Sequence, residues 1–172
     1  MTTRPEFSAR KPRPGRYDID TGGSSVAFRT RHLFGLAPVR GTFRIKAGTV
    51  DVTEPLAGSR IRAEIDAASF STGHGARDTS VRSARFLDAE RHPVMVFVAE
   101  KMEGDVLDGA LTVCGTTRPA RLPAEVSVLA DGSLLARAAV RIDRAEFGVT
   151  ASRGLAGRYL DVSIEARCVR RA

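Results

Sequence analysis

Histidine, cysteine and one knot of arginine and aspartate are the side chains able to carry chemistry in this 172-residue chain. His32, His74 and His92 lie far apart and share no metal-ligand spacing, so no metal site is expected. His32 ends an early apolar and aromatic segment, where it reads either as a hydrogen-bonded core histidine or as a polar anchor for a ligand. Cys114 and Cys168 belong to no CxxC or Cys/His pattern and read as free, reduced thiols that pack as small apolar groups. The densest charge is Gly73-His74-Gly75-Ala76-Arg77-Asp78, followed by Arg82, Arg85 and Asp88. Guanidinium groups hold phosphate and carboxylate oxygens bidentately, which makes Arg77 and Arg82, with His74, candidates for a ligand head group. Two other readings stay open, an ion-pair network that pins this segment and an enzyme site built on His74, Arg77 and Asp78. Catalysis needs a nucleophile and a base held together, and the chain offers no GxSxG, no paired carboxylates and no activated cysteine. No catalytic residue and no catalytic cofactor are therefore assigned.

The elements that must hold these residues are strands. Val39, Gly41, Phe43 and Ile45 alternate with Arg40, Thr42, Arg44 and Lys46, the period-two pattern of a half-buried strand. Ile61, Ala63 and Ile65 alternate with charged residues, as do Ala136, Ala138, Val140 and Ile142, and Leu160, Val162, Ile164, Ala166 and Cys168. Further strands are expected at 26–34, 94–100, 106–113 and 123–129, about eight in all. Ala47-Gly48, Glu103-Gly104-Asp105 and Asp131-Gly132 read as turns between them, the last suited to type I′. Between Arg77 and His92, Val81, Ala84 and Leu87 recur at helical spacing and predict one or two short helical turns across a barrel end. Such a set of antiparallel strands buries its apolar face by closing into a barrel or by pairing two sheets, and closure also removes exposed edges. The small inward residues Ala63, Ala136, Ala138, Ala166, Gly41 and Gly109, with no tryptophan, leave a ligand cavity and a filled structural core as open alternatives.

Composition sets the remaining bounds. The length fits one domain with its own core, expected at residues 16–171 behind a disordered basic extension at 1–15. The net charge of +7 comes from arginine, since only Lys11, Lys46 and Lys101 are lysines. These arginines alternate with apolar residues instead of forming a basic stripe with interleaved aromatics, so nucleic acid is not an expected partner and membrane contact is at most peripheral. The first residues hold no apolar run suited to secretion, and no stretch approaches a membrane span, so the cytoplasm is the expected location.

Four ordered blocks resemble a known family. They are Tyr17-Asp18-Ile19-Asp20 with Ser25-Val26-Ala27-Phe28, Arg31-His32 and Val39-Arg40-Gly41-Thr42-Phe43; then Arg77-Asp78, Val81-Arg82-Ser83, Arg85-Phe86-Leu87-Asp88 and His92-Pro93 with Phe97; then Leu111 to Pro119; and last Ile142 to Gly148. Together they are similar to the YceI-like, polyisoprenoid-binding proteins. The resemblance implies an all-β, lipocalin-like antiparallel barrel enclosing an apolar tunnel for an isoprenoid or other long-chain lipid, and it admits a homodimer. Phe28, Phe43, Ile45, Ile61, Ile65 and Phe97 are then expected to line the tunnel, with His32, Leu111, Val113, Ala138, Val140, Ile142, Val162 and Ile164. Gly23 and Cys114 stand where such proteins often carry histidine.

Overall fold

The computed structural model describes residues 11–32, 36–152 and 156–172, the side chain of His32 excepted. Residues 1–10 of the expected extension, and the expected strand end at Phe34, lie outside the described residues. Among the described residues there are nine strands: β1 (Gly15–Ile19), β2 (Ser25–His32), β3 (Ala37–Val52), β4 (Arg60–Ser71), β5 (Val94–Glu103), β6 (Val106–Val113), β7 (Thr116–Val128), β8 (Leu134–Asp143) and β9 (Tyr159–Arg170). One α-helix, α1 (Gly75–Arg82), lies between β4 and β5.

All pairings are antiparallel, and they close the sheet in the order β3-β2-β9-β8-β7-β6-β5-β4 with β4 returning to β3. The result is an eight-stave barrel, because β1 and β2 share one stave. β2 pairs Val26 with Phe43 of β3 and with Ile164 of β9, while β1 pairs Asp18 with Thr49 and Ile19 with Cys168 farther along the same two strands. β1 adds a short ninth strand to the expected set. β7 starts at Thr116, well before the expected Pro123, because Val113–Thr116 pairing carries the β6 hairpin directly onward.

Two of the three expected turns take a different form. Ala47-Gly48 lies inside β3, beside a register shift between Ile45 and Ala47. Gly48 is there for close approach, since a Cβ would sit 2.3 Å from Ile19 Cδ1. Asp131-Gly132 belongs to a longer loop in which Leu129 N–H donates to the Ser133 carbonyl at 2.8 Å and only Gly132 takes positive φ, at 85°. The turn with two consecutive positive φ angles, as type I′ requires, is Cys114-Gly115 at 50° and 75°. Gly104-Asp105 connects β5 to β6 as expected.

A second irregularity reshapes β4. Thr42 opposes Ser71 whereas Arg44 opposes Asp66, so residues 67–70 bulge against Phe43 alone. The Ser69 hydroxyl fills the broken ladder by accepting from Arg44 N–H at 2.7 Å. The bulge turns Phe70, an even-numbered residue in a strand whose odd residues face inward, into the interior.

Candidate functional site

A cavity of about 310 Å³ runs inside the barrel. The residues expected to line a tunnel lie on its wall wherever their side chains are described. Phe28 comes from β2, Phe43 and Ile45 from β3, Ile61 and Ile65 from β4, and Phe97 from β5. Leu111 and Val113 come from β6, Ala138, Val140 and Ile142 from β8, and Val162 and Ile164 from β9. The His32 side chain lies outside the described residues.

Space remains because the staves carry small side chains where they face the centre. Ala63, Ala124, Ala136, Ala138 and Ala166 all line the cavity. Gly41 and Gly109 do not, contrary to expectation: their missing side chains make room for neighbours. A Cβ on Gly41 would lie 2.3 Å from Phe28 Cζ, and one on Gly109 would lie 2.3 Å from the Val98 carbonyl oxygen. One wall is aromatic, with Phe28 stacked on Phe70 at 5.2 Å and Phe43 at 5.5 Å from both rings. Phe70 escaped the sequence reading because a bulge, invisible in the apolar pattern, changes the parity of its strand.

The two ends differ. At the β1 end, Tyr17, Ile19, Val52, Leu134 and Cys168 form a closed core, with Tyr17 only 1% exposed. At the α1 end, Val113, Phe147 and Val149 pack with Phe86 and Leu87, and here the lining turns polar at Thr30, Arg77 and Arg144. Arg144 was not foreseen. It donates to the carbonyls of Gly157 at 2.7 Å, Val149 at 2.9 Å and Ala156 at 3.2 Å, and its guanidinium lies 5.6 Å from the Phe86 ring centre. These bonds tether the β8–β9 connection across this end of the barrel.

The residues of the charged segment separate in space. Arg77 lines the cavity, its Nε donating to the Thr72 hydroxyl at 2.9 Å. His74 is exposed at the start of α1, where its Nδ1 accepts from Arg77 N–H at 3.3 Å. Arg82 turns to the Phe70 carbonyl, with Nε at 3.1 Å. Neither His74 nor Arg82 lines the cavity. Asp78, 5% exposed, accepts from Thr72 N–H at 3.0 Å and from the Thr72 hydroxyl. Burial works to raise its pKa, but the Thr72 hydrogen bonds and the nearby Arg82 and Arg77 charges outweigh it and hold the carboxyl below its ordinary range. Hydrogen bonds to β4 and its exit, not ion pairs, are what pin α1 among the described residues.

Neither thiol is activated. Burial, helped by Asp88, raises the Cys114 pKa, and its Sγ donates to the Leu87 carbonyl at 3.0 Å. Burial alone pushes Cys168 up to about 11. Among the described residues no group of His, Cys, Asp and Glu is arranged to hold a metal ion, and no helix is long and apolar enough to cross a membrane.

Residues 17–168 match the model of the YceI-like domain. Protein YceI of Escherichia coli O157:H7 is 36% identical over 127 residues, covering 70% of this chain and 66% of that protein, just under two thirds of its length. Protein YceI of Salmonella arizonae is 34% identical over 166 residues, covering 89% of this chain and 86% of that protein. Among solved structures, BcnA of Burkholderia cenocepacia superposes with a TM-score of 0.77 at 19% identity, over 87% of this chain and 98% of that one. A polyisoprenoid binding domain from Saccharophagus degradans, implicated in plant cell wall breakdown, superposes with a TM-score of 0.69 at 14% identity, over 92% of this chain and all of that one. At these identities the structural likenesses speak for the fold.

Proposed function

The chain belongs to the YceI-like family, and from that premise we propose that it binds a long apolar lipid chain, a polyisoprenoid or a lipid with a similar tail, for transport, storage or sensing. The observation that carries this reading is the cavity itself, about 310 Å³ in a barrel whose central positions are alanines and aliphatic or aromatic side chains. That volume stands at the lower end of the range of about 300–1,000 Å³ typical of small-ligand sites, so one tail fills it. The shared fold with a polyisoprenoid binding domain of Saccharophagus degradans supports the same ligand class.

Burial of the tail supplies the binding energy. Each CH₂ removed from water contributes about 0.8 kcal/mol, so about a dozen give roughly 10 kcal/mol. That is comparable to the cost of association, about 4–15 kcal/mol. The polar end of the ligand belongs at the α1 end, where Arg77 lines the cavity and, among the described residues, spends only its Nε on a side-chain hydrogen bond. His74 and Arg82, bonded to backbone away from the cavity, are left out of that role.

Ala138, paired with Ala124 on β7 and Ile164 on β9, is the position that tests this function. Ala138→Phe is expected to abolish retention of a long-chain isoprenoid while the delipidated protein keeps its melting temperature. In a filled core the added ring would instead overpack and cost about 1–3 kcal/mol. A variant destabilised in the absence of lipid, yet binding normally, would overturn the reading.

A further inference from the structure

The positive charge of this protein is unevenly neutralised over the barrel wall. On most strands an outward arginine has an acid as its neighbour: Arg62 pairs with Glu64 at 3.3 Å, Arg137 with Glu165 at 3.2 Å, Arg141 with Asp161 at 2.9 Å and Arg158 with Asp143 at 2.9 Å. The hairpin of β2 and β3 is different. No acidic residue occurs between Asp20 and Asp51, a stretch whose cations include Arg29, Arg40, Arg44 and Lys46. These four are exposed and point outward, and Arg29 stands directly opposite Arg40 in the strand register. Like charges placed opposite each other disfavour the sheet, a cost that no acid on these two strands offsets.

The acids nearest the patch are shared with other groups, the Asp161 carboxyl feeling the Arg29 charge as well as its bonds to Arg141. Asp161 of β9, in register with Arg29, is held by Arg141 through Oδ1 at 2.9 Å and Oδ2 at 3.3 Å. Asp66 of β4, in register with Arg44, accepts from Ala68 N–H at 3.0 Å. An open groove of about 540 Å³ crosses the same face, lined by Arg29 and Arg40, by the hydroxyl-bearing Thr42, Ser71 and Ser163, and by one acid, Asp161. Paired guanidinium groups among hydroxyl donors suit a phosphodiester.

An apolar element completes the face. Leu36, at the tip of the hairpin, is 85% exposed. Tyr159, 47% exposed, begins the neighbouring β9, its carbonyl accepting from the Thr30 hydroxyl at 2.8 Å. Both belong to the α1 end of the barrel, the end at which the cavity lining becomes polar. An exposed aliphatic tip and an amphipathic ring beside cations match the interfacial zone of a bilayer. Stacking of single-stranded nucleic acid would require several aromatic faces, and the phenylalanines of these strands, Phe28 and Phe43, point into the barrel.

We propose that the outer face of the β2–β3 hairpin, with Arg29 and Arg40 at its centre and Leu36 at its tip, docks this protein on a bilayer of anionic phospholipid. This surface goes beyond the tunnel and does not depend on what the tunnel holds. The test is flotation of the full chain with vesicles of phosphatidylcholine alone and of phosphatidylcholine mixed with phosphatidylglycerol. The chain is expected to float with the mixed vesicles only and to be released by added salt. Arg29→Gln with Arg40→Gln is expected to lower that partitioning by about ten-fold or more. Leu36→Ser is expected to lower it without any change of charge. Arg62→Gln with Arg137→Gln removes the same net charge from other walls and is expected to leave it unaltered. Equal loss in both arginine pairs, or no preference of the unaltered chain for phosphatidylglycerol, would overturn the proposal. So would a patch whose substitution abolishes binding to a single-stranded oligonucleotide but not to vesicles. Tunnel occupancy, read separately by mass spectrometry, distinguishes failure of this surface from failure of the lipid-binding function.

Discussion

Asp131 illustrates how single side chains set the stability of this barrel. It lies in the β7–β8 loop, where the Ser133 hydroxyl and N–H both donate to its Oδ1 and Arg167 reaches its Oδ2. The Ser133 hydrogen bonds, first the hydroxyl and then the amide, together with Arg167 hold its pKa down to about 2. An unfolded aspartate titrates near about 3.9. The folded state therefore binds its proton less readily, so the stabilisation is complete above the unfolded value and is lost as pH falls toward about 2. Asp131→Asn is expected to lower the melting temperature at neutral pH and to flatten its fall between about pH 4 and pH 2. Thermal unfolding followed across that range checks it, and parallel curves for variant and parent would refute the assignment.

At the scale of the element, the glycines divide into those that turn the chain and those that let strands meet. Gly41 is of the second kind: a Cβ there would lie 2.3 Å from Phe28 Cζ and 2.6 Å from the Ser71 carbonyl oxygen. The ring can swing, but the carbonyl belongs to the β4 backbone just past the bulge and cannot. Gly41→Ala is expected to destabilise the barrel by about 1–3 kcal/mol in urea unfolding. An unchanged midpoint would show that β3 and β4 have slack at this crossing.

The same element shows how far sequence carries. Period-two alternation made β3, β4, β8 and β9 legible, since each places charge against water and apolar groups inside. It does not register a bulge, because an extra residue changes parity without changing composition. Phe70 and the course of β3 through Gly48 were hidden for that reason. The Cys114-Gly115 turn was hidden because cysteine is not a residue that advertises positive φ. Arg144 falls within the last block of the family resemblance, but its role was hidden, since it bonds to backbone carbonyls of a connection with no periodicity.

At the scale of the whole molecule, closure is what joins fold to function. Eight staves with no free edge satisfy every strand while leaving the centre to side chains, and alanines at the centre leave it partly empty. The closed core at the β1 end and the polar lining at the α1 end give the cavity two unlike ends. The inward-facing strand positions were legible from alternation, whereas the polar end depends on side chains brought in by α1 and the β8–β9 connection. Native mass spectrometry of the chain after gentle isolation from cells tests this most directly. The account predicts a one-to-one adduct whose mass matches a long-chain lipid, replaced by the bare polypeptide in the Ala138→Phe variant. A bare polypeptide from the unaltered chain, still folded and still failing to take up a polyprenol on incubation, would contradict it.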